Sequence, residues 1–157
     1  MLLAFGLAVA LIGTIPTYGP IPQPSPSAVP GVPKTSGEAL IVNSGSTNRA
    51  GYRLRVYAAG WTALQQGDVP IRKRVPGALI KHFFADLAAA GALDKLPAPN
   101  CMKSASFGSS TQVGYRGAMS PDLECPSPSA SARALAIDAT ALAAAAGVSM
   151  LPRPLKP

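Results

Sequence analysis

The sequence predicts an α+β fold: an antiparallel sheet of about four to six strands packed by two helices, closed by one disulfide and preceded by a proline-rich N-terminal linker. Three observations carry that expectation. Tyr52-Arg53-Leu54-Arg55-Val56-Tyr57 alternates with the period of a half-buried strand. Leu79, Ile80, Phe83, Phe84 and Leu87 recur with helical period just after Pro76. Cys101 and Cys125, the 2 cysteines of the 157-residue chain, bracket a Gly- and Ser-rich segment around a second alternation, Thr111-Gln112-Val113-Gly114-Tyr115.

Residues 1–15, MLLAFGLAVALIGTI, form an uncharged apolar run of signal-peptide length, shorter than the roughly 20 residues that span a bilayer. We read residues 1–19 as an export signal, although no Lys or Arg precedes the run and no Ala-x-Ala site follows it; the alternative is an N-terminal apolar segment that forms a buried or interfacial helix. The first cysteine lies far downstream, which excludes a lipoprotein anchor. In residues 20–37, prolines at 20, 22, 24, 26, 30 and 33 block helix and central strand and favour an extended spacer. A single α+β domain is expected over 38–149 and a proline-rich tail over 150–157.

Within the domain, Ala39-Leu40-Ile41-Val42 is a short strand that runs into the polar loop at residues 43–48. In residues 52–57, Tyr52, Leu54 and Val56 take the core side, and Arg53, Arg55 and Tyr57 the wet side. Ala58-Ala59-Gly60 turns the chain into Trp61-Thr62-Ala63-Leu64-Gln65, which makes a hairpin. Pro76 then opens a helix, where its missing N–H costs nothing, and Gly91 closes it. That helix is expected to cover the hairpin, since a two-stranded sheet with a bare apolar side is unstable.

Residues 110–116 supply another strand, turned by Gly117-Ala118 into a partner at residues 119–123. A disulfide around it closes a loop of about 25 residues and removes about 3.5 kcal/mol of unfolded-chain entropy. Ser127-Pro128-Ser129 starts a last helix, 130–146, ended by Gly147. Its core stripe is Leu135, Ala139, Leu142 and Ala146, with Ile137, Ala141, Ala144 and Val148 opposite and charge only at Arg133 and Asp138. The bland outer side reads either as a second covered face or as alanine, the best helix former, filling a solvent-facing one.

Charge narrows the function classes. Lys and Arg number 14 against 7 Asp and Glu, a net charge of +7, and none of these residues precedes Lys34. The folded part is therefore strongly basic, which suits contact with an anionic surface and also serves solubility. Arg53, Arg55, Arg72, Lys73, Arg74 and Arg116 are the candidate anion-binding residues, on the wet strand face and just before the first helix. Charged strand residues also protect sheet edges from aggregation. No nucleic-acid-binding motif is present, and an exported protein rarely meets nucleic acid.

His82 and Asp86 are four residues apart on one helix, within reach as a base and its orienting carboxylate, but the wheel turns His82 toward water and no nucleophile motif accompanies it. Neither cysteine sits in a Cys-x-x-Cys pair or at a helix start, so a disulfide between Cys101 and Cys125 explains both better than a catalytic thiol. Two cysteines and one histidine fall one ligand short of a closed zinc site, and no metal or other cofactor is expected.

The order strand, hairpin, helix bearing Phe83-Phe84, exit at Leu96-Pro97, hairpin and final helix resembles the layout of emfourin-type inhibitors of bacterial metalloproteases, from Ala39 to Ala146. The resemblance lies in layout and not in residue identity, so it transfers no functional residue. The stretches Asn43-Ser44-Gly45-Ser46-Thr47-Asn48 and Ser120-Pro121-Asp122-Leu123 resemble those of uncharacterised exported bacterial proteins. The functional expectation is a non-catalytic exported domain, in the periplasm, cell envelope or medium, that binds a protein partner in the manner of a protease inhibitor. It is not integral to the membrane after processing. The alternatives are a basic module for anionic glycan or lipid headgroups, and a hydrolase built on His82 and Asp86.

Overall fold

The computed structural model describes residues 31–98, 100–104 and 108–148. The export signal, the first part of the linker and the tail read from the sequence lie outside the described residues.

Strands β1 (Glu38–Asn43), β2 (Tyr52–Tyr57), β3 (Trp61–Gln65) and β4 (Ile71–Arg74) are followed by helix α1 (Gly77–Ala90) and a 3₁₀ turn at Leu93–Lys95. Strands β5 (Thr111–Tyr115) and β6 (Ala118–Met119) and helix α2 (Ala130–Ala146) complete the chain. The six strands form one antiparallel sheet in the order β4-β3-β2-β1-β5-β6. The first four strands are a meander, and β5 returns from beyond α1 to pair with the free side of β1, Ile41 opposite Val113.

One face of the sheet is apolar because the strand period of two places Ala39, Ile41, Leu54, Val56, Leu64, Val113 and Tyr115 on it, all buried. Both helices lie over this face. The first contributes Ile80, Phe83 and Leu87, buried, with Leu79 and Phe84 partly buried beside them, and it ends at Gly91 with φ +67°. The second contributes Leu135, Ala139, Leu142 and Ala146, starts where the Ser129 side chain accepts the Ala132 N–H, and ends at the left-handed Gly147. Phe83 meets Phe84 edge to face at 5.7 Å, and Phe84 meets Tyr115 at 6.0 Å, so aromatic contact ties α1 to β5. Ile137 is 69% exposed, so α2 is covered on one side, in keeping with alanine as solvent-face filler.

Three expectations are corrected. The partner of β5 is only two residues long, because beyond Met119 the Ser120 and Leu123 N–H groups still donate to Val113 O and Thr111 O but side-chain oxygens replace the backbone acceptors. There the Val113 N–H donates to Ser120 Oγ at 2.9 Å and the Thr111 N–H to Asp122 Oδ1 at 3.1 Å. Val148, placed opposite the core stripe by helical spacing, is buried because the helix has already ended at Gly147. The linker ends sooner than residue 37. Pro33 is buried and its carbonyl accepts the Gly117 N–H at 2.8 Å, and the Tyr115 hydroxyl donates to Ser36 O at 3.3 Å. Val32 lies over Gly114, where an added Cβ would stand 3.2 Å from Val32 Cγ1 and 2.7 Å from Met119 Sδ. Pro33 keeps this segment out of the sheet ladder, but it can lie flat over β5 at Gly114, where the strand carries no side chain.

Candidate functional site

The second face of the sheet is left open by the helices, and cross-strand register decides what stands on it. Arg55 pairs with Ala63 and Ala63 with Arg72; Arg53 pairs with Gln65; Tyr57 pairs with Trp61 and Trp61 with Arg74. Directly paired residues share a face, so Arg53, Arg55, Arg72 and Arg74 form one field across β2, β3 and β4, with Tyr57 and Trp61 at its upper end. Ala63 is the low point between Arg55 and Arg72. A hollow of about 270 Å³ opens there, lined by Arg53, Arg55, Tyr57, Gln65, Pro70 and Arg72. A second hollow of about 400 Å³ adjoins it at Tyr57, Ala59, Trp61 and Arg72.

Two of the guanidiniums are held by neighbours on this face, Glu38 and Trp61. Arg55 Nη1 donates to Glu38 Oε1, and Arg74 lies over the Trp61 ring at 4.6 Å. A partly exposed ion pair such as Arg55–Glu38 contributes at most about 1 kcal/mol, so an incoming carboxylate competes with it. Four arginines against one glutamate leave the face positively charged.

Two residues expected in this field stand elsewhere. Lys73 pairs with the buried Thr62 and so belongs to the helix side, where its Nζ lies 3.6 Å from the position of a Cβ built on Gly147, at the C-terminus of α2. A lysine there complements the negative end of the helix dipole. Arg116 follows β5 at φ +49° and stacks on Tyr115 at 5.1 Å, and Tyr115 faces the helices. In their place the field gains an apolar neighbour that charge alone does not reveal, Trp61, 41% exposed; Ile71, 61% exposed, pairs with the buried Leu64 and so stands with Lys73 on the helix side.

The disulfide expected between Cys101 and Cys125 is present, with Cα atoms 5.6 Å apart. It consumes both cysteines and removes the catalytic-thiol reading. The segment it closes is also pinned by charge: Lys103 Nζ donates to Asp122 Oδ2 and to Ser109 O, and Glu124 accepts from Ser109 Oγ at 2.8 Å, Thr111 Oγ1 at 2.6 Å and Asn43 Nδ2 at 3.0 Å. These bonds attach the loop to β1 and β5 and satisfy the polar atoms of a stretch with few apolar anchors.

The His82–Asp86 pair acquires a third member. His82 is exposed, as its wheel position implies, but its Nδ1–H donates to Asp138 of α2, at 3.0 Å to Oδ1 and 3.1 Å to Oδ2, while Asp86 Oδ2 stands 3.5 Å away. The orienting carboxylate is therefore Asp138. The hydrogen bond to Asp138, with the negative charges of Asp138 and Asp86, raises the His82 pKa above its ordinary 6.5. Burial raises that of Asp138 above 3.8, against the pull of His82. Both folded values exceed the unfolded ones, so both groups bind protons more tightly in the native state and stability falls as pH rises. The His82 contribution is complete below about pH 6.5 and is lost as pH climbs through the raised folded value. Melting temperatures measured from pH 5 to 9 with chelator present should decline across that window in wild type, and His82→Ala should flatten the decline.

No family model matches the chain, and neither does any curated protein or solved structure. Among the described residues no helix is long and apolar enough to cross a membrane.

Proposed function

We propose that the protein is a non-catalytic exported domain that binds an acidic protein partner on the open face of its sheet. The observation that carries this reading is the composition of that face: Arg53, Arg55, Arg72 and Arg74 interleaved with Tyr57 and the exposed Trp61. Arginine and aromatic side chains dominate the energetics of protein interfaces, because each joins a rigid apolar surface to a directed donor. The apolar ring of Trp61, 41% exposed beside the arginines, suits an apolar side chain of a protein partner. The disulfide supports export, since such bonds persist in oxidising compartments.

The resemblance in layout to metalloprotease inhibitors names one partner class to assay first. The bound segment would place a carboxylate in the hollow above Ala63, between Arg55 and Arg72, and an apolar side chain against Trp61. The test compares wild type with Arg53→Glu/Arg72→Glu, in capture from envelope extract and in inhibition of secreted metalloproteases. Wild type should retain a stoichiometric acidic partner, and charge reversal should weaken binding by about 100-fold, near 2.7 kcal/mol, at unchanged melting temperature. Binding of sulfated polysaccharide in preference to any protein would replace this reading by the glycan one.

A further inference from the structure

We propose that His82, Asp86 and Asp138 form a divalent transition-metal site, of the zinc or manganese kind, that clamps α1 to α2. One ligand atom from each of the three residues lies within 4.8 Å of the others. The individual distances fit an ion. Ligands about 2.1 Å from a metal stand about 3.0 Å apart at a right angle and about 3.4 Å apart at the tetrahedral angle. His82 Nδ1 stands 3.0 Å from Asp138 Oδ1 and 3.5 Å from Asp86 Oδ2. The widest pair, at most 4.8 Å apart, must close by at most about 0.6 Å to stand opposed across an octahedral ion and by at most about 1.4 Å to stand at the tetrahedral angle.

A second observation, independent of spacing, is that Asp86 Oδ2 is buried and accepts no hydrogen bond. The single Nδ1–H is spent on Asp138, leaving two carboxylates, one almost fully buried, around one proton. An orphaned buried carboxylate oxygen is costly, and a cation repairs it. With a divalent ion the imidazole is neutral, Nδ1 is a donor to the metal and Nε2 keeps its proton toward solvent. The cluster then carries two negative and two positive charges. One nitrogen and two carboxylate oxygens suit zinc or manganese better than calcium, which takes six to eight oxygens. The His82 side chain is 67% exposed, so coordination positions remain open on the solvent side.

The sequence expectation of no metal site counted thiols and imidazole, and so passed over two carboxylates brought together by helix packing. The test uses the full chain, stripped with chelator, dialysed, and titrated with Zn²⁺ or Mn²⁺ while native mass and melting temperature are recorded. One ion per chain and a rise of about 5 °C or more at saturation are expected. His82→Ala, at an exposed position, and Asp86→Asn should each abolish the rise and weaken binding more than 10-fold, and Ca²⁺ at the same concentration should give no rise. No bound ion, or a shift that survives His82→Ala and so belongs elsewhere, for example to Asp122 and Glu124, overturns the proposal. An equal response to Ca²⁺ overturns the metal class.

Discussion

Phe83→Ala will destabilise the domain by about 3–5 kcal/mol, the cost of emptying a ring-sized volume that its neighbours cannot refill. Phe83 has no exposed surface and sits where α1 meets the sheet, edge to face with Phe84, which in turn meets Tyr115. Against a total stability on the order of 5–15 kcal/mol, the variant will be partly unfolded or close to it at growth temperature. Urea unfolding is the check: a lower midpoint at unchanged slope shows lost stability rather than altered compactness. Ile137→Ala, on the exposed side of α2, should change stability by no more than about 0.5 kcal/mol and serves as the contrast.

Cys101→Ser will cost about 3.5 kcal/mol through the unfolded chain, whose loop closure it releases. For a domain of this size that is a fall in melting temperature on the order of 15 °C. The effect should be global rather than confined to the loop. The closed segment contains β5, which pairs with the central strand β1, so the loop cannot open without reaching the middle of the sheet. Lys103, Asp122 and Glu124 will hold the loop near its native place in the variant, but exposed ion pairs contribute little and are screened by salt. Wild type treated with reductant should melt with the variant.

The parts of the fold legible in the sequence are those in which one period runs without interruption. The strands Tyr52–Tyr57 and Trp61–Gln65 and the helix after Pro76 follow from alternation, a glycine turn and an apolar stripe, all local signals. The strand Ile71–Arg74 is exposed at every position, so it shows no buried alternation, and reading its residues as one charge cluster hid the fact that adjacent strand residues face opposite ways. Lys73 therefore points away from Arg72 and Arg74 although it lies between them in sequence. The pairing of β1 with β5 joins residues some 70 apart, and nothing local specifies it.

Asp138 is a different case, because its signal was present. It lies three residues after Leu135 and four before Leu142, on the core stripe of α2, where a carboxylate needs a partner. His82, outward by its own wheel, is that partner, a relation visible only once the helices are packed together. The field of arginines was legible as charge. Its aromatic border was not, because the exposure of Trp61 follows from its place beside the edge strand β4.

The central claim is that the open arginine face takes an acidic protein partner. The most direct measurement is calorimetric titration of the captured partner, as a function of salt, into wild type and into Arg53→Glu/Arg72→Glu. One site per chain in wild type, affinity that falls as salt rises, and about 100-fold weaker binding to the charge-reversed protein at equal melting temperature are expected. Equal affinity for the two proteins, or binding indifferent to salt, would contradict it and move the interface off this face.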